Sequence, residues 1–113
     1  MKSGSKKYKT KKDEKLLFDI IISLCADYSR RKECILKNSV SKRVKMEYVY
    51  LNSKLFEAAA EVAGEMFAER YIYDIGNGIG YARSNLYIFS ESTYKEYKIR
   101  IKENMLKKLK FID

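Results

Sequence analysis

The chain runs for 113 residues without a single proline. Proline ends helices most firmly, because it lacks the amide hydrogen and clashes with the carbonyl one turn back. Nothing of that kind interrupts this sequence, and its apolar residues recur at helical spacing. From Lys42 onward, Val44, Tyr48, Leu51, Leu55, Ala58 and Val62 follow at intervals of 4, 3, 4, 3 and 4 residues. Such a heptad-like seam reads as intramolecular core, with a homodimer seam as the alternative. Ala58-Ala59-Ala60 and Ala63-Gly64 would let another helix approach closely. The pattern either breaks at Gly64 or runs on through Met66, Phe67 and Tyr71; the favoured reading is one long, bent helix ending at Gly76.

Residues 13 to 37 read as an earlier long helix. Leu17, Ile20, Ile21, Leu24 and Tyr28 keep the period, and Asp13-Glu14 suits the positive end of the helix dipole. Leu16, Phe18 and Ile22 widen the stripe beyond one packing face, so this helix is either central to the core or shared with a second subunit. Asn38-Ser39-Val40-Ser41 makes the break, with Ser41 as N-cap. Gly76-Asn77-Gly78-Ile79-Gly80 lacks the Lys-Ser/Thr ending of a phosphate-binding loop and reads as a helix end and turn, with Gly76 just past the helix. Tyr81 to Tyr87 is a short segment. Ser90 then caps a last helix carrying Tyr94, Tyr97, Ile101, Met105 and Leu109 on one face and running to about Lys110. The fold class expected is all-α: a four-helix, orthogonal or bundle-like domain over 13–113 with two long helices, preceded by a disordered basic tail over 1–12.

Absent residues exclude much chemistry. With no histidine, Ser-His-Asp and Cys-His catalysis and histidine-ligated metal sites are ruled out, and two cysteines are too few for a structural zinc. Cys25 and Cys34 in one helix would stand about 13 Å apart along its axis, too far for a disulfide. Glu57, Glu61, Glu65 and Glu69 repeat every four residues, which reads as a solvated acidic stripe, one that could also dock a basic partner or the chain's own tail, rather than a di-metal site. No metal and no cofactor are expected, and no enzyme. Asp19 interrupts the apolar run after the first lysines, so neither a secretory leader nor a membrane span is expected, and the reading is cytoplasmic.

Charge is unevenly placed. The net value of +9 divides into +6 over residues 1–12, −1 over 13–94 and +4 over 95–113. Clustered positive charge is the footprint of a polyanion binder, and equally of a solubilising tail with an ordinary exposed helix face. A short helix, a turn and a basic helix opened by small hydroxyl residues is a helix-turn-helix arrangement, here over 79–110. Ser90, Ser92 and Thr93 are small enough to bring a helix end against base edges and phosphates, and Lys95, Lys98, Arg100 and Lys102 would supply charge along the groove.

The stretch Arg70-Tyr71-Ile72, then Tyr87 to Lys98 (YIFSESTYKEYK), then Leu106-Lys107-Lys108-Leu109-Lys110-Phe111, resembles the C-terminal part of small phage-encoded transcription regulators of the ArpU/RinA type. The resemblance covers about the last 45 residues and implies a helix-turn-helix like that of sigma-factor region four. It implies double-stranded DNA as partner, RNA polymerase as neighbour, and Ser90, Ser92, Thr93, Lys95 and Lys98 facing DNA. The sequence departs from the pattern at Ile88, where the turn usually has glycine, and at Arg83, where the first helix is usually apolar. The alternative function is a non-catalytic interaction module, such as a small phage packaging or assembly protein.

Overall fold

A computed structural model describes residues 8–113, and these form an all-α domain. Among them six helices follow in order: α1 (Lys11–Ala26), α2 (Tyr28–Lys37), α3 (Lys42–Ala63), α4 (Glu65–Asn77), the single turn α5 (Tyr81–Ser84) and α6 (Glu91–Lys108). Of the basic tail expected over 1–12, residues 1–7 lie outside the described residues. Residues 8–12 belong to the fold. The Thr10 hydroxyl accepts the Asp13 amide and starts α1 at Lys11, and Tyr8 packs edge-on against Phe18 with ring centroids 5.9 Å apart.

The two long helices are each divided. The helix expected over 13–37 breaks at Asp27, which places Cys25 and Cys34 in different helices. Arg31 is the reason. Its guanidinium is buried and donates to the Leu24 carbonyl at 2.5 Å and to the Asn52 side-chain oxygen at 2.8 Å. The Leu24 carbonyl thus finds a side-chain partner at the bend, and Asp27 is held by Arg30 and Arg31. Arg30's hydrogen bonds keep the Asp27 carboxyl below its usual range. The second long helix breaks at Gly64, whose φ of 90° carries the chain out of α3 and into α4. That conformation favours a residue without a Cβ.

Gly76 is not a helix-ending residue. It lies inside α4, and Gly78, in the left-handed region, ends that helix instead. At Gly76 the α4 backbone meets α1 so closely that a Cβ would lie 2.5 Å from the Ala26 amide nitrogen. Small residues set the other close contact: Ala58 and Ala59 of α3 and Ala68 of α4 are fully buried. Helix α4 packs on α1 and α3, and α3 also packs on α2 and α6. Ile21, Leu55, Tyr71, Ile72, Ile101, Met105 and Leu106 fill the space between them.

The heptad seam of α3 serves this interior. Leu55 and Ala58 are fully buried, and Val44, Tyr48, Leu51 and Val62 are half-buried. The wide stripe of α1 is likewise divided: Ile21 is enclosed, whereas Leu16 and Ile20 stay exposed. The four glutamates do not form one stripe, because Gly64 separates them. Glu61 receives Asn104 and Lys108 of α6, while Glu69 receives Lys32 at 2.6 Å and the Tyr28 hydroxyl at 2.8 Å from α2.

Candidate nucleic-acid interface

The segment from α4 to the start of α6 is organised by one buried acid. Asp74 sits on the inner face of α4 among Tyr71, Ile72 and Ile75 and is fully excluded from solvent. A buried carboxylate persists only with donors around it. Ser84 of α5 donates its hydroxyl to Oδ2, and the Tyr94 hydroxyl of α6 donates to the same oxygen at 2.6 Å. Arg70, one turn earlier on α4, brings Nε to 3.3 Å of Oδ1 and donates from its other end to the Ser84 carbonyl. Three helices are therefore tied to one side chain. Burial, and then the hydrogen bond to Asp74, pushes the Tyr94 hydroxyl up to about 12, so it stays a donor.

Aromatic packing surrounds this anchor. Tyr71 stacks on Tyr94 with centroids 5.2 Å apart, and Phe89 meets Phe67 edge-on at 5.1 Å. The Tyr81 hydroxyl donates to the Phe89 carbonyl at 2.6 Å, closing the loop between α5 and α6. Ile88 is not left-handed here; Asn85 takes that conformation between α5 and α6, with φ of 63°. Tyr87 and Ile88 are exposed, and Tyr87 lies edge-on to Tyr81 with its hydroxyl donating to the Ala82 carbonyl at 2.8 Å.

The seven residues proposed from sequence divide into two groups. Ser90, Ser92, Lys95 and Arg100 are exposed; Thr93, Lys98 and Lys102 are half-buried. The Ser90 hydroxyl caps α6 by accepting the Thr93 amide at 3.2 Å, and its own bond to the Thr93 hydroxyl spans 2.9 Å. Lys95 lies on the outward side with Glu91 at 2.9 Å, and Arg100 has Glu96 at 3.6 Å and the Tyr97 ring beneath it. Both ion pairs are exposed and weak.

Lys98 and Lys102 do not join this face. Lys98 turns inward, donating to the Ile79 carbonyl at 2.7 Å and lying over the Tyr94 ring. Burial lowers its ammonium below the ordinary lysine range. Lys102 reaches toward α1 and sits 5.0 Å from the centroid of Phe18. Helical periodicity alone carries the reason, because positions 98 and 102 fall beside the buried Tyr94–Ile101–Met105 stripe rather than opposite it. The residues that sequence reasoning missed are Arg70, Asp74 and Ser84. Their signal is a single acid on an otherwise apolar helix face, with an arginine four residues before it.

No three His, Cys, Asp or Glu side chains among the described residues are grouped so as to hold a metal ion. No helix among them is long and apolar enough to cross a membrane. Fold and site together define an all-α domain that presents the first turn of its last helix from a rigid polar anchor. No known protein family, curated protein or solved structure matches the chain.

Proposed function

We propose that this protein binds double-stranded DNA through the α5–α6 unit and acts, without catalysis, as a cytoplasmic phage or prophage transcription regulator. The observation that carries the reading is the Asp74 anchor: it fixes α5 and α6 against α4 and leaves Ser90, Ser92 and Lys95 outward at the start of an 18-residue helix. Unpaired amides at such a helix end attract phosphate, and small hydroxyl residues permit close approach. The DNA-facing set narrows to Ser90, Ser92, Lys95 and Arg100. Thr93, Lys98 and Lys102 position the helix instead. The resemblance of the 70–111 stretch to ArpU/RinA-type regulators supports the same reading and makes RNA polymerase a candidate neighbour.

The test is fluorescence anisotropy with duplex DNA titrated with salt, on wild type, a Ser92→Asp/Lys95→Glu variant and a protein lacking residues 1–7. The double variant places acid at the helix start and is expected to weaken binding at least about tenfold, equivalent to about 1.4 kcal/mol. Removing the terminal lysines is expected to flatten the salt dependence, by about 0.9 in the log–log slope for each phosphate no longer neutralised, while sequence preference survives. Abolition of binding on tail removal, with no effect of the double variant, would end the regulator reading. A second reading, a non-catalytic interaction module for phage packaging or assembly, is favoured by the inward turn of Lys98 and Lys102, which leaves the outward face of α6 only modestly basic.

A further inference from the structure

The seam of α3 that serves the interior leaves the opposite side of the helix without a partner among the described residues. Along that side lie Lys42, Met46, Val49, Tyr50, Ser53 and Glu57, all exposed. Three are large and apolar: Met46 is 64% exposed, Val49 42% and Tyr50 50%. Their spacing, with Lys42, Met46, Val49 and Ser53 at steps of 4, 3 and 4, is that of a helix-packing seam. Charge is distributed lengthwise, basic at the start of the strip and acidic at its end.

We infer that this strip is a self-complementary surface on which two copies of the chain pair antiparallel through α3. A two-fold axis between Val49 and Tyr50 sets Lys42 of one copy against Glu57 of the other, Met46 against Ser53, and Val49 against Tyr50. Each copy repeats the same contacts, as a closed two-fold interface requires. The parallel alternative would oppose lysine to lysine and glutamate to glutamate, so charge selects the antiparallel arrangement, and antiparallel helix dipoles agree with it. The ion pairs Glu57 already makes leave it available, since Lys54 stands at 3.8 Å and Lys108 at 3.9 Å. One helix on one helix covers less than the roughly 1,200 Å² of a standard stable complex, so the dimer is weak, with a dissociation constant in the micromolar range or above. None of these residues belongs to α5 or α6, so the pairing stands apart from DNA binding.

Sedimentation velocity from about 10 μM to 1 mM tests it, with thermal melts confirming that each variant folds. Wild type is expected to shift reversibly from monomer to dimer across this range. V49K removes the apolar centre and is expected to leave a monomer throughout. K42E and E57K each oppose like charges at two symmetric positions and are expected to weaken pairing about tenfold. The K42E/E57K double variant restores both pairs in reversed order and is expected to return to within about threefold of wild type. A wild-type monomer at every concentration would overturn the inference. So would a dimer indifferent to V49K, or one in which the double variant is no better than the singles.

Discussion

Replacing Asp74 with alanine is expected to destabilise the fold by about 2–4 kcal/mol, the cost of taking the shared acceptor from two buried hydroxyl donors. The side chain has no solvent exposure, and it satisfies donors from two further helices. Without it the Ser84 hydroxyl loses its acceptor, the Tyr94 hydroxyl keeps only the Ile79 carbonyl at 3.3 Å, and the exposed Arg70 loses its ion-pair partner. Tyr94→Phe is the graded companion. It deletes one charge-assisted hydrogen bond while keeping the ring that stacks on Tyr71, and its expected cost is about 1.5–3 kcal/mol. Urea unfolding followed by circular dichroism measures both. Amide hydrogen exchange adds location: Asp74→Ala is expected to release α5 and the first turn of α6 before the α1–α4 pair. A midpoint unchanged by Asp74→Ala would show that the anchor contributes nothing net.

Gly76→Ala is expected to be the most tightly overpacked alanine substitution among the described glycines, costing about 3 kcal/mol or more. By helix propensity alone the substitution should help, by about 1 kcal/mol, since alanine is the better helix former. Geometry reverses that sign. The new Cβ would lie 2.5 Å from the Ala26 nitrogen, 2.6 Å from the Cys25 carbonyl carbon and 2.7 Å from the Ala26 Cα. All three are backbone atoms and cannot rotate aside, so α1 and α4 must move apart, loosening Ile21 and Cys25 from Ile72 and Ile75. Gly64→Ala makes the useful contrast. No described atom lies within 4 Å of a Cβ there, and the cost comes only from holding alanine at φ of 90° and ψ of 155°, a region nearly confined to glycine, about 1–3 kcal/mol. Thermal melts of the two variants should therefore rank Gly76→Ala below Gly64→Ala, and the reverse order would mean that the α1–α4 approach is soft.

The all-α class and the starts of α3 and α6 are legible in the sequence because their causes are local. Ser41 and Ser90 each cap through an amide three residues on, a pairing that needs no tertiary contact. The outward and inward faces of α6 are in principle equally local, but charge alone draws attention to Lys98 and Lys102, and a lysine's long stem lets it lie along apolar surface. What sequence reasoning missed depends on distant partners. The bend at Asp27 follows from Arg31 reaching Asn52, twenty-one residues away in the chain. Gly76 reads as a helix end because Gly78 and Gly80 crowd near it, whereas its purpose is set by Ala26 across the core. Asp74 carries no motif. Its meaning appears only once Ser84 and Tyr94 stand beside it.

The enclosure of Cys25 between α1 and α6 has a use of its own. Its thiol is buried, donates to the Met105 sulfur at 3.6 Å, and is pushed up to about 12 by desolvation. A reagent that attacks thiolates therefore finds no nucleophile there while the core is shut. Cys34, half-buried on α2, gives an internal reference in the same molecule. Consumption of Cys25 over time then counts the openings that lift α1 from α4 or α6. The native chain thus carries its own clock for core breathing, with no residue replaced.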